Sequence, residues 1–305
     1  MTRLMAAPVL PRRQGVSPSC VALSPGPWAT LLGFLAERFH RIPAQEWQAR
    51  MERGDVLDAQ GRALRPDQAF VPHSRVYYYR QPPPERPIPF EAQVLYQDEH
   101  LLVADKPHFL PVLPSGRYLQ ETLLVRLQRQ LGLPDLAPLH RIDRDTAGLV
   151  LFSVQRTSRG AYAALFRERQ VHKTYEAIAP WHADLVLPLC YRSRIGPGDS
   201  FMTMCELPGP PNAQTELMLL ERKGGLARYR LSPITGRRHQ LRVHMMSLGL
   251  PIVNDGIYPV LSPECPLEVA PDYSQPLQLL AQGLHFTDPV TAEPRAFTSQ
   301  RMLAW

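Results

Sequence analysis

The chain has 305 residues, long enough for one large domain or two modest ones with a real core. Hydrophobic residues make up 44% and charged residues 20%, a balance that excludes a disordered or collagen-like polymer. The formal charge of +6 is a mild basic excess that suits a polyanionic partner without demanding one.

Four cysteines, Cys20, Cys190, Cys205 and Cys265, show no CxxC spacing. They suggest neither a zinc site nor a disulfide framework and fit a reducing, cytoplasmic setting. No apolar run approaches the length of a membrane span. The first residues do not read as a secretory signal, because Pro8 interrupts their short apolar patch; an organelle-targeting leader stays open as the alternative.

Residues 1–25 read as a flexible tail rich in proline, serine and small side chains. A first helix is expected from about Pro27, with Trp28, Leu31, Leu32, Leu35 and Phe39 on one face. Pro43 can open a second helix, and Gly54 stands where a C-terminal cap belongs. Val56-Leu57 and Ala63-Leu64 flank a turn, and Arg75 to Arg80 reads as a strand. Residues 26–80 thus order as helix, helix, hairpin and strand, with Arg38, Arg41, Arg50 and Arg53 on the helical part. That order resembles a small S4-like RNA-binding domain, an α/β module; the alternative is a helical cap with solvated arginines.

Residues 81–89, QPPPERPIP, read as a semi-rigid linker. From 90 to 305 strands and helices alternate without a βαβ rhythm, so an α+β domain on a mixed or antiparallel sheet is expected. Leu149 to Phe152 reads as a buried strand, and the polar LHRIDRDTAG at 139–148 as the loop feeding it. Ser158 can cap a helix carrying Tyr162, Leu165 and Phe166. A strand from Val171 to Ile178 sets Lys173 and Tyr175 on one face. Residues 181–213 read as a surface excursion. Strands are expected near 215–221 and 227–232, then a helix from Arg237 to Leu248 closed by Gly249, and strand from Leu277 to Leu280 and Leu284 to Phe286.

Three blocks share one resemblance. HRIDRDTAG is similar to the HRLDxxTSG signature of the RluA family of pseudouridine synthases. QVLYQDEHLLVADKPHFLPVLPSG at 93–116 resembles that family's strand, turn and Lys-Pro. PITGRRHQLRVHMMSLGLPIVNDGIYP at 233–259 resembles its GRxHQxRxH helix and the NDxxY that follows. The resemblance covers about residues 90 to 305, and three motifs in order make it specific. Ile142 and Ala147 depart from the pattern, the second by removing a hydroxyl from the loop.

The resemblance implies an RNA pseudouridine synthase acting on rRNA or tRNA, a monomer in the cytoplasm, with no cofactor and no metal. It implies Asp143, Tyr175 and Arg242 as catalytic residues: the carboxylate, the ring stacked on uracil and the cation that keeps the carboxylate ionised. Arg141, Arg144, Lys173, Arg237 and Arg238 are then expected to contact RNA, with Arg141 filling the gap left by an extruded nucleotide. Read alone, Asp143 could be a turn residue paired with Arg144. Lys173 could be a solvated lysine, Lys106 loop structure or a phosphate contact, and Asp145 a structural carboxylate. His140 and His239 are expected to hold loops. His239 and His244, five apart, are poorly spaced for a shared metal on one helical face. Two other readings remain open: a catalytically inactive RNA-binding or ribosome-assembly factor on the same fold, and a metal-dependent phosphoesterase using the DRD cluster.

Overall fold

The structure is a computed structural model that describes residues 10–81, 85–263, 266 and 269–305. The chain divides into two compact units, one of residues up to Glu85 with Gly116–Gln120, the other of Arg86–Ser115 with Glu121–Trp305.

In the first unit, β1 (Ser19–Ala22) precedes α1 (Leu31–Arg38), α2 (Ala44–Glu52), β2 (Val56–Leu57) and β3 (Arg75–Tyr78). The three strands form an antiparallel sheet in the order β1-β3-β2. The tail expected over 1–25 is corrected here: Ser19–Ala22 alternates half-buried and exposed residues against β3, while residues 1–9 lie outside the described residues. Pro82–Pro84 of the expected linker also lie outside them. Helix α1 starts three residues after Trp28, because the Thr30 side chain accepts from the Gly33 N–H as its N-cap. Pro43 precedes α2 and Gly54, at φ +74°, follows it, as the sequence indicates. Trp47, Phe34, Leu35 and Val56 form the apolar centre. Of the four helical arginines, Arg50 is buried, its Nε donating to Glu46 at 2.9 Å and its guanidinium 5.1 Å from the Trp47 ring. Arg53 pairs with Asp55.

The second unit runs β4 (Gln93–Gln97), β5 (Leu101–Lys106), α3 (Leu123–Leu131), β6 (Ala137–Pro138), β7 (Ala147–Ser153), α4 (Arg156–Arg167) and β8 (His172–Pro180). It continues with β9 (Leu189–Pro197), β10 (Met204–Leu207), β11 (Ala213–Lys223), β12 (Leu226–Pro233), α5 (Gln240–Ser247), β13 (Leu279–Thr287) and β14 (Pro294–Thr298). One mixed sheet orders as β10-β9-β11-β12-β8-β13-β7-β5-β4, with β14 beside β13 and β6 beside β7. Among the described residues only β13 and β7 pair in parallel. This is the α+β architecture with a mixed, mostly antiparallel sheet.

Strands β5 and β7 are buried at every residue, which explains their continuous apolar runs. The excursion expected over 181–213 instead extends the sheet through β9 and β10. Its period of two, Tyr191-Ser193-Ile195 against Arg192-Arg194, is hidden by flanking prolines and glycines. Helix α4 begins at Arg156 after Gln155, so Ser158 lies inside it and is no cap. Helix α5 is shorter than expected, because His239 takes φ +54° and turns Arg237 and Arg238 out of the helix.

One backbone approach fixes the polar loop. A Cβ on Gly148 would lie 2.3 Å from the Ala281 carbonyl oxygen, and its φ is +110°. Only glycine fits where β7 leaves the loop and passes β13. Ala147 packs with Ile178, Leu280 and Leu303, so the methyl that replaces the usual hydroxyl sits in an apolar cluster.

Candidate active site

The loop of residues 139–146 enters β7 with two anchors behind it. The first is His140, whose ring stacks on Phe166 at 4.7 Å and whose Nε2 accepts the Leu151 N–H at 3.1 Å. Burial, helped by the Lys173 charge, lowers the His140 pKa to about 3, so this ring is a neutral structural acceptor. The second is Lys106, fully buried at the end of β5, whose Nζ donates to the carbonyls of Pro107 (2.8 Å), Leu110 (2.8 Å) and Arg144 (2.9 Å). Three carbonyls use all three ammonium protons, so Lys106 holds the backbone beside Asp143 and has no N–H left for phosphate. Burial lowers its pKa to about 7 against the opposing charges of Asp145 and Asp143.

Between these anchors Asp143 faces an arginine. Arg242, 2% exposed on α5, sends Nη1 to Asp143 Oδ2 at 3.2 Å. Its Nε and Nη2 bind Asp255 at 2.8 and 2.5 Å. Asp255 Oδ1 also accepts the N–H groups of Ile257 (2.8 Å) and Tyr258 (3.1 Å). Burial acts to lower the Arg242 pKa, yet the hydrogen bonds and charge of Asp255, then Asp143, hold it above its ordinary value. The cation is permanent.

His239 completes the wall. Its Nε2 lies 3.9 Å from Asp143 Oδ2 and its Nδ1 lies 2.9 Å from the Tyr258 hydroxyl. That hydroxyl also accepts the Met204 N–H at 2.8 Å, which ties the His239 wall to β10. Burial keeps the His239 pKa below its ordinary value despite Asp143, so the ring is neutral at pH 7. Oδ2 is therefore the occupied side of the carboxylate; Oδ1 has no hydrogen-bond partner among the described residues.

Tyr175 stands on β8, paired with Leu231 of β12 and Ala281 of β13. Its hydroxyl has no hydrogen-bond partner among the described residues. Burial first, and the Asp143 charge second, push the phenol above its ordinary pKa, so it stays protonated. Lys173 shares that strand face, its Nζ 3.8 Å from where a Gly236 Cβ would stand.

Arg144 pairs with Asp145 at 2.8 Å. Burial would raise the Asp145 pKa, but Arg144, then Arg242 and Lys106, hold it below the usual range. Arg141 is exposed on the same loop. Arg237 Nε donates to the Asn212 carbonyl at 3.1 Å, and Arg238 spans the carbonyls of Phe201 (3.0 Å) and Met202 (3.2 Å). His244 Nδ1 lies 2.9 Å from Thr215 Oγ1 and Nε2 3.1 Å from Ser193 Oγ, one nitrogen donating and the other accepting, and burial lowers its pKa to about 4. Both its nitrogens serve structure. Asp143, Tyr175 and Arg242 come together, whereas Asp255 and Tyr258, in the quoted NDGIYP, carry no role in the sequence reading. Nothing local in the sequence ties them to Arg242.

Residues 100–247 match the RNA pseudouridylate synthase family. The dual-specificity RNA pseudouridine synthase RluA of Yersinia pestis is 36% identical over 67% of this chain and 96% of that protein. The chain belongs to the RNA pseudouridine synthase family. An uncharacterized RNA pseudouridine synthase of Synechocystis is 32% identical, over 75% of this synthase and 79% of that protein. A solved structure, Human RNA Pseudouridylate Synthase Domain Containing 1, aligns with a TM-score of 0.55 at 24% identity, covering 69% of this chain and 84% of that one. It supports the fold of the synthase. As a pseudouridine synthase the protein is an isomerase.

Proposed function

We infer that this isomerase converts uridines of structured RNA to pseudouridine through Asp143, with Arg242 and Tyr175 beside it. The reaction breaks the C1′–N1 bond, turns the uracil and joins C1′ to C5. The C5 proton leaves and N1 gains one, so atoms and electrons balance without an added oxidant or reductant. The observation that carries this reading is the division of Arg242 between Asp143 and Asp255. A buried, permanent cation on Oδ2 keeps Asp143 an anion, and Oδ1 remains to attack the reacting nucleotide or to stabilise positive charge at its sugar.

Tyr175, a neutral phenol on a rigid strand, suits stacking on uracil near the C5 proton. Arg141 and Lys173 supply positive charge at the rim, and the role assigned to exposed Arg141 is to fill the gap of an extruded nucleotide. Arg144 is spent largely on Asp145, so its share in RNA contact is small. The first unit serves as the S4-like RNA-binding module, through Arg38 and Arg41 rather than the buried Arg50. The RluA relatives are named dual-specificity enzymes and a Saccharomyces cerevisiae relative is named for tRNA. Those names fit tRNA as one substrate class, with rRNA proposed as the second; a cytoplasmic monomer is the proposed setting, in keeping with the free thiols of Cys20, Cys190 and Cys205. Among the described residues no helix is long and apolar enough to cross a membrane.

The test is tritium release from C5-labelled, unmodified tRNA and rRNA transcripts, followed by mapping of the product positions. Release from both classes is expected. No release from either would overturn the reading.

A further inference from the structure

Resting on the RNA reading above, we propose that Phe201, at the tip of the β9–β10 hairpin, is a stacking platform for an unpaired base of the substrate RNA, outside the uridine pocket.

Phe201 is the most exposed large apolar side chain among the described residues, at 89%. Leaving a phenylalanine in water forgoes the stabilisation that burying it would give. A single exposed apolar residue needs no explanation by itself. Three further observations give this one a meaning.

First, the turn that carries the ring is hydrogen-bonded within itself. Within the turn, Thr203 N donates to the Ser200 carbonyl at 2.9 Å and Gly198 N to the Thr203 carbonyl at 3.2 Å. Ser200 N donates to Thr203 Oγ1 at 3.2 Å, and Met202 N to Ser200 Oγ at 3.2 Å. A platform ordered beforehand loses little entropy when a base settles on it.

Second, the tip is tied to the active-site wall from two directions. Arg238 grips the carbonyls of Phe201 and Met202, and the next residue, His239, faces Asp143 at 3.9 Å. Met204 N donates to the Tyr258 hydroxyl, which in turn meets His239. The backbone that carries the ring is thus tied to the wall that faces the Asp143 carboxylate.

Third, the Arg238 guanidinium lies 5.5 Å from the Phe201 ring centre. A cation beside an aromatic ring whose other surface is in solvent is the pairing that holds single-stranded nucleic acid: stacking for the base, positive charge for the backbone. Stacking tolerates every base, so the platform aids affinity and positioning and leaves sequence choice to other contacts.

The experiment uses the full chain with Phe201→Ala, Phe201→Leu and Phe201→Trp. Exposure of the side chain, and the Arg238 bonds ending on backbone, keep the fold intact in all three. Turnover is read on C5-tritiated tRNA transcripts, and binding by fluorescence anisotropy on a labelled single-stranded oligouridylate. Phe201→Ala and Phe201→Leu should raise KM and Kd about five- to a hundredfold with kcat at saturating RNA held within about twofold. Phe201→Trp should keep wild-type KM, and its tryptophan emission, after subtraction of the wild-type signal, should be quenched on adding oligouridylate. Unchanged KM in Phe201→Ala, or Phe201→Leu behaving as wild type, overturns the platform while the active wild-type chain leaves the synthase reading standing. A wild-type chain that neither turns over nor binds RNA overturns both.

Discussion

Arg242 gives two of its nitrogens to Asp255 and one to Asp143, at 2.8 and 2.5 Å against 3.2 Å. The tighter partner fixes the guanidinium and the looser one receives it. Asp255, 1% exposed, is thus a positioning residue that acts through Arg242. Asp255→Asn should keep part of the hydrogen bonding and lose the charge. Slack at Arg242 of about 1 Å is expected to lower kcat by about tenfold to a hundredfold. KM should stay within a few-fold, since Asp255 lies behind the arginine. Chemical denaturation should show a loss of about 1–3 kcal/mol. A variant with wild-type kcat would show that Asp143 alone orients Arg242.

Asp143→Asn preserves shape and removes the charge that the reaction needs. Isomerisation should fall by roughly a thousandfold or more, while RNA affinity stays within a few-fold. Tritium release from labelled transcripts and a separate binding titration divide the two effects. Near-normal turnover would transfer the chemical role to another carboxylate, of which Asp145, already bound to Arg144, is the nearest in the loop.

Much of this centre was legible in the sequence because its parts lie in short motifs whose residue types are chemically unusual together. HRIDRDTAG could be placed as a polar loop before a core strand from the four apolar residues that follow it. The role of Asp255 was not legible, since nothing local says that a carboxylate thirteen positions past an arginine lies behind it. His239 was readable as a loop holder but its left-handed backbone was not, and so α5 was drawn too long. The β9–β10 hairpin failed for a different reason. Its pairing partner, β11, is distant from local signals, and five prolines between 181 and 213 masked the alternation. The order of two helices and then strand in the first unit was legible except at its start, where Ser19–Ala22 gains its strand only from pairing with β3.

Four histidines of the catalytic unit, His108, His140, His239 and His244, have pKa values lowered mainly by burial, to about 3 for His140 and about 4 for His244. In the unfolded chain each titrates near ~6.5. Between the folded and unfolded values the unfolded state binds more protons, so stability rises with pH across that window and is lost as pH falls from ~6.5. Each neutral histidine contributes at most about 1.4 kcal/mol per pH unit there. Urea midpoints measured from pH 7 to 4.5 should therefore decline steeply. His140→Gln, which retains an acceptor for the Leu151 N–H, should flatten the slope whatever its effect on absolute stability. A slope equal to that of the wild type would show that His140 is protonated in the folded chain.

In the first unit, Arg38 and Arg41 are exposed around the end of α1, while Arg50 is buried against Trp47 and Arg53 is committed to Asp55. If this unit holds RNA, the first two are the available phosphate contacts. Each neutralised phosphate releases a counterion, so log Kd varies with log salt by about 0.7–0.9 per contact. The double variant Arg38→Gln, Arg41→Gln should therefore lower the salt slope by roughly 1.4–1.8. It should weaken binding to tRNA and rRNA transcripts alike, because phosphate contacts carry no sequence information. Turnover at saturating RNA should be unchanged, since Asp143, Arg242 and Tyr175 all lie in the other unit. The substitutions fall on solvent-exposed positions, so melting temperature should hold within about a degree or two. Titrations over a salt series decide the matter. A wild-type slope in the double variant would make the first unit a structural cap, and the RNA-binding role would pass to the rim residues Arg141 and Lys173.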